Sequence, residues 1–373
     1  MRLPWEKEPI GNCEYAITSE CPDPQCGCHP KIAPRLLLLG GAGFVGANLA
    51  VYFAERGYNV MAMDNLVRRG SEFNLSRLRD AGVAFRHGDV RCVEDWPQND
   101  FDVVLDTAAQ PSAIDGYDNP LYDLTNNTTS VFNTIEYCRT HRAGLIFWAT
   151  NKVYPASAIN GRVLTYEPTR IMLDKAIDES CPLDGGDRSI YGATKVAADL
   201  IIQEYADAFD IPAVVNRFSC LSGPYQWGKT EQGWLAFWVI AHRLHIPLTY
   251  FGYEGKQVRD ALFMPDICTL IEKQIDGIIR EGKGGVFNVG GGWDNAVSLV
   301  EATEICREMT GTGLPITHES IPRRADFACY ISNIDKVCKA YNWEPRVCIR
   351  EGFYQIDKWV CDNIATIEEV ISL

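Results

Sequence analysis

The chain has 373 residues, of which 46% are hydrophobic and 23% are charged. This length and composition allow one or two domains with a large buried core, and they exclude a mostly disordered protein. Its 35 basic and 49 acidic residues give a formal net charge of −14. That charge excludes non-specific binding to nucleic acid or to an anionic membrane surface, since both need dense Lys and Arg.

The first residues carry no apolar stretch of a secretory signal, and no run approaches the roughly 20 apolar residues that span a bilayer. We therefore expect a cytoplasmic protein with no membrane partner. Cys13, Cys21, Cys26 and Cys28 crowd into a segment that we predict to be a separate N-terminal arm, residues 1–33. Their spacing differs from the paired C-x2-C of known zinc modules, so we predict no metal site, with zinc binding as the alternative.

Short apolar runs alternate with helical stretches over the first part of the chain. The apolar runs predict strands at 35–39, 58–64, 83–89, 101–106, 144–149, 211–216 and 284–289. Helices are predicted at about 44–56, 121–141, 191–209 and 298–310. Alternation of strongly apolar strands with helices predicts an α/β fold built on a Rossmann-type, doubly wound parallel sheet.

A glycine-rich turn follows the first predicted strand, with Gly40, Gly43 and Gly46 in the spacing G-x2-G-x2-G. Glycines at such a turn let backbone N–H groups approach a pyrophosphate at the N-terminus of the next helix. Asp64 ends the second predicted strand, where a carboxylate accepts hydrogen bonds from both ribose hydroxyls and repels a 2′-phosphate. The combination predicts a dinucleotide site that prefers NAD over NADP, and two arginines soon after Asp64 weaken that preference.

Tyr191 and Lys195 are four residues apart on a predicted helix, so the phenol and the ammonium share one face. A tyrosine with an ordinary pKa of about 10 acts as a base near neutral pH only if positive charge lowers that pKa. Lys195 and an oxidised nicotinamide can supply such charge. Thr150 ends the fifth predicted strand, at the sheet edge where α/β proteins bind ligands. We predict that Thr150 holds a substrate oxygen while Tyr191 takes or returns its proton.

After Arg217 the chain changes to shorter, mixed elements rich in Gly, Trp and Tyr. We predict that residues 34–216, with parts of 263–305, form an NAD-binding Rossmann domain. Residues 217–262 and 306–373 then form a second, smaller mixed α/β lobe that binds the substrate. The cleft between the two is the expected ligand site.

These motifs together resemble the extended short-chain dehydrogenase/reductase superfamily of nucleotide-sugar enzymes, over roughly residues 35–350. The resemblance rests on the glycine turn, Asp64, Asp89, Thr107-Ala108-Ala109, Thr150 and Tyr191-x3-Lys195. It implies NAD as the cofactor, and a homodimer or homotetramer that pairs helices 121–141 and 191–209 between subunits. The cofactor-binding residues that it implies are Gly40, Gly43, Phe44, Val45, Gly46, Asp64, Asn65, Asp89, Val90, Ala108, Ala109 and Lys195.

The residues after Thr150 point to one reaction within that superfamily. Its dehydratases carry Asp-Glu there, because elimination of water needs an acid and a base, whereas this chain has Asn151-Lys152. Thr-Asn-Lys-Val-Tyr resembles the 2-epimerases of CDP-sugars of the paratose and tyvelose type. The implied activity is NAD-dependent inversion of C2 in a nucleotide sugar. A 4-epimerase, a keto-sugar reductase and a non-catalytic NAD-sensing protein are the alternatives.

The substrate-binding residues that we predict are Asn151, Lys152, Gln232, Arg259 and Arg323. Guanidinium groups bind phosphate through two parallel hydrogen bonds, and a protein of this net charge needs local cations to bind a diphosphate. Two features depart from the superfamily pattern: Asp106 replaces a frequent histidine, and residues 156–190 form an insertion of little similarity. We expect this insertion to shape the sugar pocket.

Overall fold

A computed structural model describes residues 33–228 and 232–371. Its strands are β1 Arg35–Leu39, β2 Asn59–Asp64, β3 Ala84–His87, β4 Val103–Asp106, β5 Gly144–Thr150, β6 Val163–Tyr166, β7 Ile171–Leu173, β8 Ala213–Phe218, β9 Cys220–Ser222, β10 Leu248–Phe251, β11 Val258–Phe263, β12 Gly285–Val289, β13 Ala296–Ser298, β14 Ile316–Glu319 and β15 Cys329–Tyr330. Its α-helices are α1 Phe44–Ala54, α2 Asn74–Asp80, α3 Asp115–Asp118, α4 Pro120–Leu124, α5 Ser130–His141, α6 Ala156–Asn160, α7 Ile190–Phe209, α8 Trp234–Leu244, α9 Met264–Glu281, α10 Leu299–Thr310, α11 Asp335–Tyr341, α12 Ile349–Asp362 and α13 Ile364–Ile371.

The main sheet has seven parallel strands in the order β12-β8-β5-β4-β1-β2-β3. Successive leucines of β1 point to opposite faces. Leu36 and Leu38 belong to the core shared with α1 and α9, and Leu37 and Leu39 to the core shared with α5 and α7. Both faces are therefore covered, which confirms the predicted doubly wound sheet. The strand order reverses between β1 and β4, the point where such sheets bind ligands.

The predicted strands are present. Some begin or end a few residues away from the predicted position, for reasons that can be traced to single residues. The strand predicted at 211–216 runs instead from Ala213 to Phe218. Pro212 has no N–H for the ladder, which delays its start. Arg217 continues the strand inside the core because its guanidinium is ion-paired with Asp199 at 2.8 Å.

The long helix predicted at 121–141 is broken into parts. Helices α4 and α5 are separated by a π-helical turn at Thr125–Thr129. Within this turn Asn127 bonds both backbone groups of Gln110: its Oδ1 accepts the Gln110 N–H at 2.9 Å and its Nδ2 donates to the Gln110 carbonyl at 3.1 Å. The extra residue of a π turn re-aims a side chain, a device common at functional sites.

The remaining sheets are smaller and lie on the carboxyl side of the main sheet. Strand β11 pairs with β9, β13 and β15, and β10 pairs with β14. Helices α8, α10, α12 and α13 cover these strands and share their own hydrophobic core. The boundaries that we predicted between the two lobes stay a prediction.

The insertion at 156–190 forms α6 and the β6–β7 hairpin. Its apolar residues, among them Ile159, Ile171 and Ile177, pack into one core with Val258 and with Phe327–Ile331. The backbone of Ile177 also forms a parallel β-bridge with Ser332. Its N–H donates to the carbonyl of Ile331, and its carbonyl accepts the N–H of Asn333. The insertion is thus held against residues that follow β11 and precede α11.

Two further expectations concerned the cysteine-rich arm and membrane-spanning segments. The cysteine-rich arm, residues 1–33, falls almost wholly outside the described residues. Among the residues that are described, we find no helix with the length and apolar character needed to cross a membrane.

Candidate active site

A cavity of about 550 Å³ opens at the carboxyl edge of the main sheet, next to the smaller sheets. The predicted site residues that line it are Phe44, Val45, Ala109, Thr150, Asn151, Lys152, Tyr191, Gln232, Arg259 and Arg323. The predicted residues that do not line it are Gly40, Gly43, Gly46, Asp64, Asn65, Asp89, Val90, Ala108 and Lys195. No residue of the insertion at 156–190 lines this cavity, and its role in shaping the sugar pocket stays a prediction.

The glycine turn joins β1 to α1 in a conformation that side chains would block. Gly40 has a φ of +68°, and a Cβ there would lie 2.9 Å from the backbone of Ala108. A Cβ at Gly46 would lie 2.2 Å from the carbonyl oxygen of Gly40. Helix α1 begins at Phe44 and no side chain caps it. The first-turn N–H groups of α1 are therefore available to an anion.

Asp64 ends β2 beside this turn. Its Oδ2 accepts a hydrogen bond from the N–H of Ala42 at 3.0 Å, and its Oδ1 accepts one from the N–H of Leu66 at 2.8 Å. Burial raises the pKa of this carboxyl, and the backbone hydrogen bonds oppose that rise. The carboxylate is fixed in place and each oxygen retains a lone pair for a ribose hydroxyl.

The two arginines that follow Asp64 are engaged elsewhere. Arg68 donates to the side-chain oxygen of Gln232. Arg69 forms ion pairs with Glu72 at 3.2 Å and with Glu369 at 3.8 Å. Arg69 is thus paired with carboxylates, and the guanidinium of Arg68 is bonded to a neutral amide, so the charge of Arg69 alone is offset.

Asp89 and its neighbours form a second polar group at the same edge of the sheet. Asp89 accepts hydrogen bonds from Arg91 at 2.6 and 2.9 Å and from Asn65 Nδ2 at 3.0 Å. The Arg91 hydrogen bond holds the pKa of Asp89 well below its usual range. The side chain of Val90 is buried in the core, and its carbonyl accepts from the Trp96 indole at 3.1 Å.

Thr150 and Tyr191 meet in the cavity wall. Thr150 is the last residue of β5, and Tyr191 lies in the first turn of α7, which the Ser189 side chain caps. Burial raises the pKa of Tyr191 to about 12; the Thr150 hydroxyl acts to lower it, and the charge of Asp123 to raise it. Without further positive charge the phenol therefore stays protonated at neutral pH.

Lys195 lies one turn further along α7, beneath Tyr191. It is 1% exposed, and its Nζ has no hydrogen-bond partner among the described residues. Burial lowers the pKa of Lys195 to about 8, against the opposing charges of Asp106 and Asp199. Asp199 is already ion-paired to Arg217, and burial raises the pKa of Asp106 to about 6. A buried ammonium without hydrogen-bond partners is costly, and a ligand acceptor would satisfy it.

Three further charged groups meet in the cavity wall. Arg259 Nη2 donates to Asp326 Oδ1 at 2.7 Å, and Lys152 Nζ lies 3.3 Å from the same oxygen. Burial would raise the pKa of Asp326, but the charges of Arg259 and Lys152 prevail and lower it. Lys152 Nζ also lies 4.0 Å from the centre of the Phe327 ring. The three charged groups carry a net charge of +1, which suits an anionic ligand.

The other predicted substrate residues lie around these cations. Arg323 stands 4.5 Å above the ring of Phe251, and both residues line the cavity. Asn151 is buried beside Thr150 and accepts a weak hydrogen bond from the Thr150 hydroxyl at 3.4 Å.

Sequence reasoning missed Asp326 and Gln257. Gln257 lines the cavity, is 9% exposed and donates from Nε2 to the Phe251 carbonyl at 3.2 Å. Its Oε1 has no partner among the described residues. Because the Phe251 carbonyl accepts a hydrogen bond from Nε2, the orientation of the Gln257 amide is determined. Its Oε1 therefore remains as an acceptor for a ligand donor. The sequence contained one signal for Asp326. It is a carboxylate three residues after Arg323, which was predicted to bind phosphate.

The residues present fit a bound NAD. The uncapped N-terminus of α1 suits the pyrophosphate, and the fixed carboxylate of Asp64 suits the adenosine ribose. The orphaned Nζ of Lys195 suits the hydroxyls of the second ribose. These are three separate observations on the described chain, and each matches one part of the dinucleotide.

Comparison with known proteins agrees with this geometry. The model of the NAD dependent epimerase/dehydratase family matches residues 36–290. The CDP-paratose 2-epimerase of Salmonella typhi is 30% identical over 87% of this chain and 98% of its own length. The UDP-glucose 4-epimerase of Halalkalibacterium halodurans is 25% identical over 83% of this chain and 90% of its own.

Solved structures show the same fold. Pal from Bacillus thuringiensis superposes with a TM-score of 0.75 at 23% identity, over 88% of this chain and 99% of that one. The NAD complex of UDP-glucose 4-epimerase from Thermus thermophilus gives 0.70 at 23% identity, over 87% and 98%.

The fold and the site define an enzyme of the extended short-chain dehydrogenase/reductase type that uses NAD. More narrowly, the chain belongs to the NAD dependent epimerase/dehydratase family, whose members act on nucleotide sugars.

Proposed function

We propose that this enzyme inverts C2 of a CDP-sugar of the paratose or tyvelose type, by transient oxidation to a keto sugar. The observation that carries the proposal is the environment of the two residues after Thr150. Asn151 is neutral, and Lys152 is ion-paired with Asp326, so no carboxyl acid–base pair stands there for elimination of water. The relative at 30% identity, named a CDP-paratose 2-epimerase, supports C2 and cytidine.

Thr150, Tyr191 and Lys195 are the proposed catalytic residues. Bound NAD supplies a hydride acceptor that later returns the hydride. The Tyr191 phenolate takes the proton of the sugar hydroxyl, and the phenol gives it back when the alcohol re-forms. Thr150 donates a hydrogen bond to the same oxygen and stabilises the ketone. Lys195 holds the nicotinamide ribose and supplies positive charge below the phenol.

Inversion requires that the sugar presents its other face between the two hydride transfers. Arg259, Arg323 and Lys152 hold the diphosphate in this proposal. With that anchor in place, the sugar ring can turn about its bond to the diphosphate without leaving the cavity. The wall near Thr150 includes the apolar side chains of Ile114 and Phe218, which make few directional contacts that would prevent the turn.

The remaining proposed roles follow the same arrangement. Residues 34–216 and part of 263–305 bind the cofactor in this proposal, and the second lobe binds the nucleotide sugar. The cofactor contacts are those predicted for the glycine turn, for Asp64 and Asn65, for Asp89 and Val90, and for Ala108 and Ala109.

We also propose a homodimer or homotetramer in which helices α4, α5 and α7 pair between subunits. Large apolar side chains on these helices are exposed in the single chain: Leu121 by 67%, Leu124 by 47%, Phe132 by 41%, Leu200 by 47% and Phe209 by 50%. Light scattering of the wild type and of Leu200→Glu tests this contact. A wild-type dimer or tetramer that the substitution dissociates supports it, and a monomeric wild type or an oligomer that the substitution leaves intact contradicts it.

The proposed reaction is tested by product analysis. The purified protein, with no added cofactor, is incubated with CDP-paratose and separately with UDP-glucose, and products are identified by NMR. Conversion of CDP-paratose to its C2 epimer, abolished in Tyr191→Phe, is the expected result. Inversion at C4 of UDP-glucose alone, or turnover only with added reduced cofactor, would instead assign the 4-epimerase or reductase activity.

A further inference from the structure

The insertion at 156–190 contributes no side chain to the cavity, yet it contacts the segment that carries Asp326. Asn160, the last residue of α6, donates from Nδ2 to the carbonyl of Asp326 at 3.0 Å. Its Oδ1 accepts the N–H of Ala328 at 2.8 Å. One amide thus bonds the backbone on both sides of Phe327.

Asparagine is well suited to this position. One contact needs a donor and the other needs an acceptor, so the orientation of the amide is determined by its partners. An aspartate would place an acceptor against the Asp326 carbonyl, and an alanine would leave both backbone groups without these bonds. The contact joins residues more than 160 positions apart in the chain.

The two residues held by Asn160, Asp326 and Phe327, contact both cations of this part of the cavity wall, Lys152 and Arg259. The Asp326 carboxylate bonds Arg259 at 2.7 Å and Lys152 at 3.3 Å, and the Phe327 ring packs against Lys152 Nζ at 4.0 Å. The N–H of Phe327 also donates to Asp326 Oδ1 at 2.9 Å, which holds the carboxylate in one rotamer. A shift of this backbone would move the carboxylate and the ring together, and with them the positions of the two cations.

We propose that Asn160 is a positioning residue for nucleotide-sugar binding, by which the insertion controls a cavity that it does not line. It acts through Asp326 on Lys152 and Arg259. The inference rests on the proposed function, since it takes these two cations to contact the substrate diphosphate. A site held to within a fraction of an ångström binds a diphosphate better than one whose cations must be ordered at each encounter.

The test measures the affinity of the NAD-loaded enzyme for CDP by calorimetry. We expect Asn160→Ala to weaken CDP binding about tenfold. The NAD content is expected to stay at the wild-type level, because the glycine turn and Asp64 are remote from the insertion. The matched control is Arg170→Met, which breaks the ion pair of the insertion with Glu301 at 2.6 Å but does not touch Asp326. It should bind CDP like the wild type.

A double-mutant cycle distinguishes positioning through Asp326 from a purely structural role of Asn160. In an Asp326→Asn background the cations no longer depend on the carboxylate, so adding Asn160→Ala should change CDP affinity less than twofold. An equal tenfold loss in both backgrounds, or in Arg170→Met, contradicts the inference. Wild-type affinity in Asn160→Ala also contradicts it and leaves the proposed function standing. A wild-type enzyme that binds no nucleoside diphosphate contradicts both.

Discussion

Lys152 Nζ lies 3.3 Å from Oδ1 of Asp326, so the second residue after Thr150 is ion-paired with a carboxylate more than 170 positions later in the chain. The pair joins the carboxyl end of β5 to the segment before β15. It also places a cation in the cavity wall close to the predicted reacting groups. In the proposed function this ammonium binds substrate, and the position holds no carboxyl group that could serve as the acid or base of an elimination.

Lys152→Met is expected to raise KM for the nucleotide sugar about tenfold and to change kcat little. The substitution keeps the length of the side chain but leaves Arg259 neutralised by Asp326, so the net charge of the group falls from +1 to zero. Steady-state kinetics at two salt concentrations measure the change. An unchanged KM, or a loss confined to kcat, would contradict the binding role.

Tyr191→Phe is expected to lower kcat by about a thousandfold, within the range for loss of a positioned acid–base group. The phenyl ring keeps the packing in the wall, so the enzyme should retain its NAD and its affinity for CDP. Single-turnover rates together with the NAD released on denaturation provide the readout. Near-normal turnover would exclude Tyr191 as the proton carrier.

Asp106→Asn is expected to move the alkaline limb of the pH–kcat profile to lower pH by about one unit. Burial lowers the pKa of Lys195 to about 8, and the Asp106 charge opposes this, so its loss lowers the pKa further. Lys195 must be charged for catalysis, hence activity falls as pH rises through its pKa. If the alkaline limb of the pH–kcat profile does not move in Asp106→Asn, a group other than Lys195 controls it.

Asp64→Ala is expected to reduce the NAD content of the purified protein at least tenfold, because the ribose hydroxyls lose a fixed carboxylate. Asp80→Ala, at a side chain that is 76% exposed, is the control and should retain NAD. Chromatography of the nucleotides released on denaturation measures both. NAD at the wild-type level in Asp64→Ala would contradict the assigned ribose contact.

Gly352→Ala is expected to destabilise the fold by about 1–3 kcal/mol, the usual cost of overpacking a core. A Cβ there would lie 2.1 Å from two ring carbons of Phe263, which is 1% exposed. Gly277→Ala is the matched helical control, since its nearest neighbour is 3.3 Å away. Urea unfolding of both variants makes the comparison, and equal midpoints would contradict the packing described here.

The main sheet could be predicted because both faces of its central strands β1, β4 and β5 are buried, and these strands are therefore short apolar runs. The four consecutive leucines of β1 are one example. Where a boundary depended on tertiary contacts, prediction was less accurate. Arg217 continues β8 inside the core because Asp199, on α7, pairs with it, and no local pattern shows that partner.

The site was predictable where its residues are adjacent in sequence or follow a strand end. Thr150, Tyr191 and Lys195 satisfy that condition. Asp326 and Asn160 could not be found in the same way, because their hydrogen bonds join segments that are distant in the sequence. The insertion was expected to shape the sugar pocket; none of its residues lines the cavity, but Asn160 bonds the backbone of Asp326, which does line it.

In the proposed reaction the hydride leaves C2 of the sugar and returns to C2. CDP-paratose carrying deuterium at C2 tests it, with the product isolated from ordinary water and examined by NMR and mass spectrometry. We expect the C2 epimer to retain its deuterium at C2. Loss of the deuterium to solvent, or a product inverted at C4 with C2 unchanged, would contradict it.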